Sequence, residues 1–121
     1  MGDTTISNVN YINSGTIDAQ TGQIVFATIS AAFNAGSVFT GAGEVAISVA
    51  ADFNGGFTSN NLVFESGTFI GTNAAMTGSA DWESGQFTGS WNIASGTTLD
   101  ATTTSNKVLN AAMFTNDGTI N

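Results

Sequence analysis

Phe64-Glu65-Ser66-Gly67-Thr68-Phe69 is followed, a short span later, by Trp82-Glu83-Ser84-Gly85-Gln86-Phe87. Each stretch opens on an aromatic residue. Two polar or small residues, a glycine and one further residue follow, and an apolar residue closes the unit. The same unit reads Ile12-Asn13-Ser14-Gly15-Thr16-Ile17 and Phe33-Asn34-Ala35-Gly36-Ser37-Val38. It returns as Thr115-Asn116-Asp117-Gly118-Thr119-Ile120, with Phe114 one place early. Ile93-Ala94-Ser95-Gly96-Thr97-Thr98 is a looser copy completed by Leu99, and Phe53-Asn54-Gly55-Gly56-Phe57 is a shortened one. The unit glycines are Gly15, Gly36, Gly67, Gly85, Gly96 and Gly118. Their spacings cluster near about ten and about twenty residues, the lengths of one strand with its turn and of one solenoid coil. The Ser/Asn/Asp-Gly step supplies a turn with φ > 0. The flanking apolar residues start strands, and no unit buries its apolar face alone, so several must stack.

The segments between glycines alternate as half-buried strands do. Phe87, Gly89, Trp91 and Ile93 oppose Gln86, Thr88, Ser90 and Asn92; Val45, Ile47 and Val49 oppose Ala46 and Ser48. Residues 24–29 are apolar on both faces, which predicts a covered strand. Phe39, Phe57, Phe69, Phe87 and Trp91 are expected to stack as core. Helical periodicity is weak, and Ala31-Ala32 and Ala74-Ala75-Met76 read as small-residue corners. The pattern predicts one all-β domain over residues 1–121: a parallel β-solenoid of about five or six coils. Residues 1–10 are an N-terminal arm or edge strand. The alternative for the same turn spacing is an antiparallel β-sandwich or jelly roll.

The composition excludes much of chemistry. The 121 residues include nine acids, one base, no Cys, no Pro and no His, for a formal charge of −8. Zinc, copper, haem and iron–sulfur centres lack their usual ligands, and Ser-His-Asp and Cys-His catalysis have no histidine. Lys107 alone cannot neutralise a row of phosphates, so no nucleic-acid partner is expected. No apolar run reaches the ~18 residues of a membrane span, so no membrane insertion is expected. Met1-Gly2-Asp3-Thr4-Thr5 lacks the basic and apolar regions of a signal peptide. Met1-Gly2 reads as an added start, which leaves room for a removed leader. No cofactor is expected.

Several groups carry candidate chemistry. Asp81 and Glu83 flank Trp82; on a strand their carboxylates would share one face about 7 Å apart, the spacing of an inverting glycosidase. No histidine or cation lies near to tune them, and alternation turns Trp82 inward, so an enzyme is not expected. Gly41-Ala42-Gly43 and Gly55-Gly56 read as turns, because no Lys-Ser/Thr follows them. Thr98, Thr102 and Thr104, with Thr97 and Thr103 nearby, could form a flat hydroxyl row suited to a polysaccharide or ice surface.

The stretches 33–45, 82–89 and 114–121 resemble the repeats of very large secreted bacterial surface proteins, the haemagglutinin-like and adhesin-like parallel β-helix arrays. The resemblance runs from Tyr11 to the end of the chain. It implies a secreted or cell-surface, non-catalytic rod segment that extends, adheres or polymerises. The runner-up function is a surface-binding module for glycan or ice on an outward Thr-rich face. Tyr11-Ile12-Asn13-Ser14-Gly15-Thr16-Ile17-Asp18 and Phe114-Thr115-Asn116-Asp117-Gly118-Thr119-Ile120-Asn121 are near copies. No amphipathic cap helix is visible beside either. Tyr11, Ile12, Phe114 and Ile120 are therefore the candidate end-to-end contacts of a homo-oligomer or filament.

Overall fold

The computed structural model describes residues 2–121 and is all-β. Its strands are β1 (Thr4–Ile6), β2 (Asn10–Asn13), β3 (Thr16–Asp18), β4 (Gln23–Phe26), β5 (Ser30–Asn34), β6 (Val38–Thr40) and β7 (Glu44–Ile47). They continue as β8 (Ala51–Phe64), β9 (Thr68–Trp82), β10 (Gly85–Ile93), β11 (Thr98–Ala101), β12 (Lys107–Asn116) and β13 (Thr119–Ile120). Every pairing is parallel, and each strand lies on the one that precedes it by a whole coil. This is a parallel β-solenoid of about six turns. The antiparallel sandwich is excluded by the register.

The solenoid has three sides. Its first side carries the inward column Thr4, Ile24, Val45, Leu62, Ala80, Leu99 and Ile120. Its second carries Tyr11, Ala31, Ala51, Phe69, Phe87 and Leu109. Its third is built from β3, β6, the middle of β8 and β9, and the later halves of β10 and β12. One coil takes from 17 residues, Val45 to Leu62, to 23, Trp91 to Phe114. Strands β8 and β9 are long because they bend through corners without breaking, with register shifts at the bends.

The recurring unit is a corner, and it is used at all three. Residues 12–17 and 33–38 turn the chain from the second side to the third. Residues 64–69 and 82–87 turn it from the first to the second, and 93–99 and 114–120 from the third to the first. Units of one kind lie one coil apart. Spacings near twenty are therefore coils, and spacings near ten are passages between different corners. Ala31-Ala32 is not a corner: it sits inside β5, and Ala31 is buried in an inward column. Ala74 does lie at a bend, where β9 shifts register against β8.

Phe39, Phe57, Phe69, Phe87 and Trp91 are all buried, as expected. They form a continuous aromatic cluster rather than one ladder. Phe69 stacks directly under Phe87, with centroids 5.3 Å apart. Phe39 meets Phe57 edge to face at 5.9 Å, but their strands are not in register there, since Phe39 pairs with Ser59. Trp82 also lies in the core, and its Nε1 donates to the Ser84 carbonyl at 3.1 Å. Aromatic pairs in these geometries add about 0.5–1.5 kcal/mol beyond the area they bury.

The N-terminal residues supply an edge strand. β1 pairs with β4 alone and completes the first side of coil one. On the two-faced strand, Phe26 is buried and Val25 half-buried, while Ile29 lies past its end and is exposed. Val25 lies beneath Ala46 and Val63 in an outward column, and both of those are buried.

Candidate functional site

The two ends of the solenoid differ from its middle in one elementary respect. A middle strand has its backbone groups paired above and below. Among the described residues β1, β2 and β3 each pair on one side only, with β4, β5 and β6. At the other end, among the described residues, β12 pairs only with β10, and β13 only with β11. Unpaired strand edges are templates for further pairing.

Apolar side chains accompany these edges. Tyr11 is half-buried against Phe26, with ring centroids 4.7 Å apart, and burial raises its pKa. Phe114 packs on Phe87 at 5.9 Å and is also half-buried. Ile120 continues the inward column above Leu99 and is 37% exposed. Ile12 is different. It is 72% exposed and belongs to an outward column with Ala32, Asp52 and Ile70, so it projects sideways. Sequence reasoning missed Leu109, 51% exposed, and Met113, 63% exposed, both on β12. The alternation carried by Phe69 and Phe87 does extend to Leu109, so that signal was available.

The turn glycines divide into two kinds. Gly36, Gly67, Gly85 and Gly96 have φ between 82° and 113°. Gly15 and Gly118 do not have positive φ, which corrects the expectation for those two. Gly118 is instead held by close approach: a Cβ there would lie 2.4 Å from the Thr97 carbonyl oxygen. Gly15 has open space around it.

A lateral groove of about 280 Å³ runs along the first side. Glu44, Asn60, Asn61, Ser79, Asp81 and Asp100 line it. It brings together acids from different coils that are remote in sequence. Asp81 lies beneath Asp100 in the outward column that also holds Val25, Ala46 and Val63. Burial, then the neighbouring Asp100 and Glu44 carboxylates, push the Asp81 pKa up. Glu83 does not line this groove; its carbonyl accepts a hydrogen bond from the Thr103 hydroxyl. The sequence pair Asp81/Glu83 is thus replaced by Asp81/Asp100. Among the described residues no group of three potential ligands is placed to hold a metal ion.

The threonines are spread over three environments. Thr97 is buried, with its hydroxyl donating to the Met76 carbonyl at 3.1 Å. Thr98 lies on β11, and Thr102, Thr103 and Thr104 lie on the exposed loop before β12. Lys107 folds back on this loop, and its Nζ donates to the Thr103 carbonyl at 2.7 Å. Gly41 has φ 115° in the turn before β7, and Gly55 has φ 88° at the bend of β8. No protein-family model, curated protein or solved structure matches the chain.

Proposed function

We propose that this chain is a non-catalytic structural rod segment of the bacterial cell-surface type, which extends and polymerises end to end. The observation that carries the reading is the pair of terminal coils, whose outer strand edges are unpaired among the described residues. Each offers unpaired parallel strand edges together with partly exposed members of the apolar columns, Tyr11 at one end and Leu109, Phe114 and Ile120 at the other. A coil added at either end would pair those edges and cover those side chains, as each coil does for its neighbour inside the rod. The low charge and the Gly/Ser/Thr/Asn-rich surface support an extracellular setting. A head-to-tail contact does not close on itself, so it makes a filament.

Negative-stain microscopy and light scattering over a concentration series test this. Uniform rods, lengthening with concentration at constant width, are the expected result. Single chains at every concentration would overturn it.

A further inference from the structure

The two ends of the chain are out of phase by one side. The first side holds seven strand positions: β1, β4, β7, the ends of β8 and β9, β11 and β13. The second and third sides hold six each, and both finish in β12. A second copy set on the C-terminal end without rotation would bring its β1 onto β13. It would leave one strand position empty on each of the other sides. Turned by one side, it brings β1 onto the first half of β12, β2 onto the second half and β3 onto β13. Every position is then filled.

The sequences agree with that phase. At a constant offset Ile6 falls on Leu109, Tyr11 on Phe114 and Asn13 on Asn116. Gly15 falls on Gly118, Thr16 on Thr119 and Ile17 on Ile120, without an insertion anywhere in the two stretches. Inside the rod the like units 82–87 and 64–69 already stack at such a constant offset, Trp82 on Phe64 and Phe87 on Phe69. The near-copies 11–18 and 114–121 occupy different corners of their own chain. Only the rotated phase puts one on the other. Charge is complementary as well. The sole cation, Lys107, begins β12, and the next copy's Thr4 would cover it with Asp3 alongside.

We infer that a second copy of this chain docks on the C-terminal end rotated by one side. Its Ile6, Tyr11 and Ile17 then continue the columns of Leu109, Phe114 and Ile120. The inference rests on the end-on reading above and specifies its register. Adjacent strands lie about 4.8 Å apart, so paired positions across the junction come within disulfide reach, which ends near 7 Å between Cα atoms.

The chain has no cysteine, so single replacements report cleanly. In the rotated phase Ile12 of one copy covers Thr115 of the other. In the unrotated phase, reached by displacing β13, it would cover Asn110, the end of its own column. All three positions are exposed, so the variants keep the fold, which circular dichroism verifies. Ile12→Cys is mixed with Thr115→Cys, or with Asn110→Cys, and oxidised at concentrations that give rods. Mass spectrometry then counts mixed dimers. The expected result is about tenfold more with Thr115→Cys, the partner within disulfide reach. Rods that cross-link equally, preferentially through Asn110→Cys, or not at all would overturn the register and leave the filament standing. Single chains without cross-links would overturn both.

Discussion

In the second and third coils one inward column of the second side is filled by Phe33 and Phe53; in the fourth and fifth the same column holds Gly71 and Gly89. The missing volume enters from the third side as Trp91. Its ring lies 5.2 Å from Phe53 and 4.7 Å from Phe87, and its Nε1 donates to the Thr88 carbonyl at 2.9 Å. A Cβ on Gly71 would lie 2.5 Å from that Nε1 and 2.4 Å from the Ser90 carbonyl oxygen. Protein interiors are packed to the density of organic crystals. The coils thus keep each layer filled while the residue in each column changes.

The largest effect is expected at Phe53. It is fully buried, and its neighbours are held in place, Phe33 by β5 and Phe57 and Phe64 by the later parts of β8. Phe53→Ala should cost about 3–5 kcal/mol in urea unfolding, because the cavity does not collapse. Gly71→Ala should cost about 1–3 kcal/mol by overpacking Trp91 and the Ser90 backbone. Combining it with Trp91→Phe should lose less than the two single losses together, since the smaller ring makes room. Strict additivity would show that Gly71 and Trp91 do not exchange volume.

The corner glycines sharpen the same point on a smaller scale. Gly118→Ala meets the Thr97 and Ala94 carbonyl oxygens and should cost about 1–3 kcal/mol. Gly15→Ala occupies the equivalent place in a near-identical unit, meets nothing, and should change stability by less than about 0.5 kcal/mol. Equal losses would mean that the corner sequence itself, and not the coil stacked on it, requires glycine.

The smallest effect concerns the outward column of the first side, which passes from Ala46 and Val63 to Asp81 and Asp100. The Asp81 pKa is raised in the folded chain by burial and by Asp100 and Glu44. Between its ordinary and raised values the folded state binds more proton than the unfolded one. Its share of stability is full below the ordinary value, is lost as pH rises through the raised one, and is flat beyond. Asp81→Asn should flatten this acid-side slope and raise the urea midpoint at neutral pH. An unchanged pH profile would contradict the acidic crowding.

The corner units made the solenoid legible, because Ser-Gly and Asn-Gly turns and two-residue alternation act within a few residues. The inward aromatics were legible for the same reason, and the alternation around Trp82 placed it inside. The groove was not. Glu44, Asp81 and Asp100 meet only because coils of unequal length bring them into one outward region, and nothing local to any of them marks the others.

Local preferences along the chain suffice to make it turn at glycine corners, alternate, and hide its aromatic residues in a parallel stack. The corner each unit occupies, the room that Gly71 and Gly89 make for Trp91, and the one-side offset between the two near-identical units arise only in the folded solenoid. The physical reason is range. Turn and strand preferences are short-range. A residue's position around the rod accumulates every corner insertion before it, between coils of 17 and 23 residues.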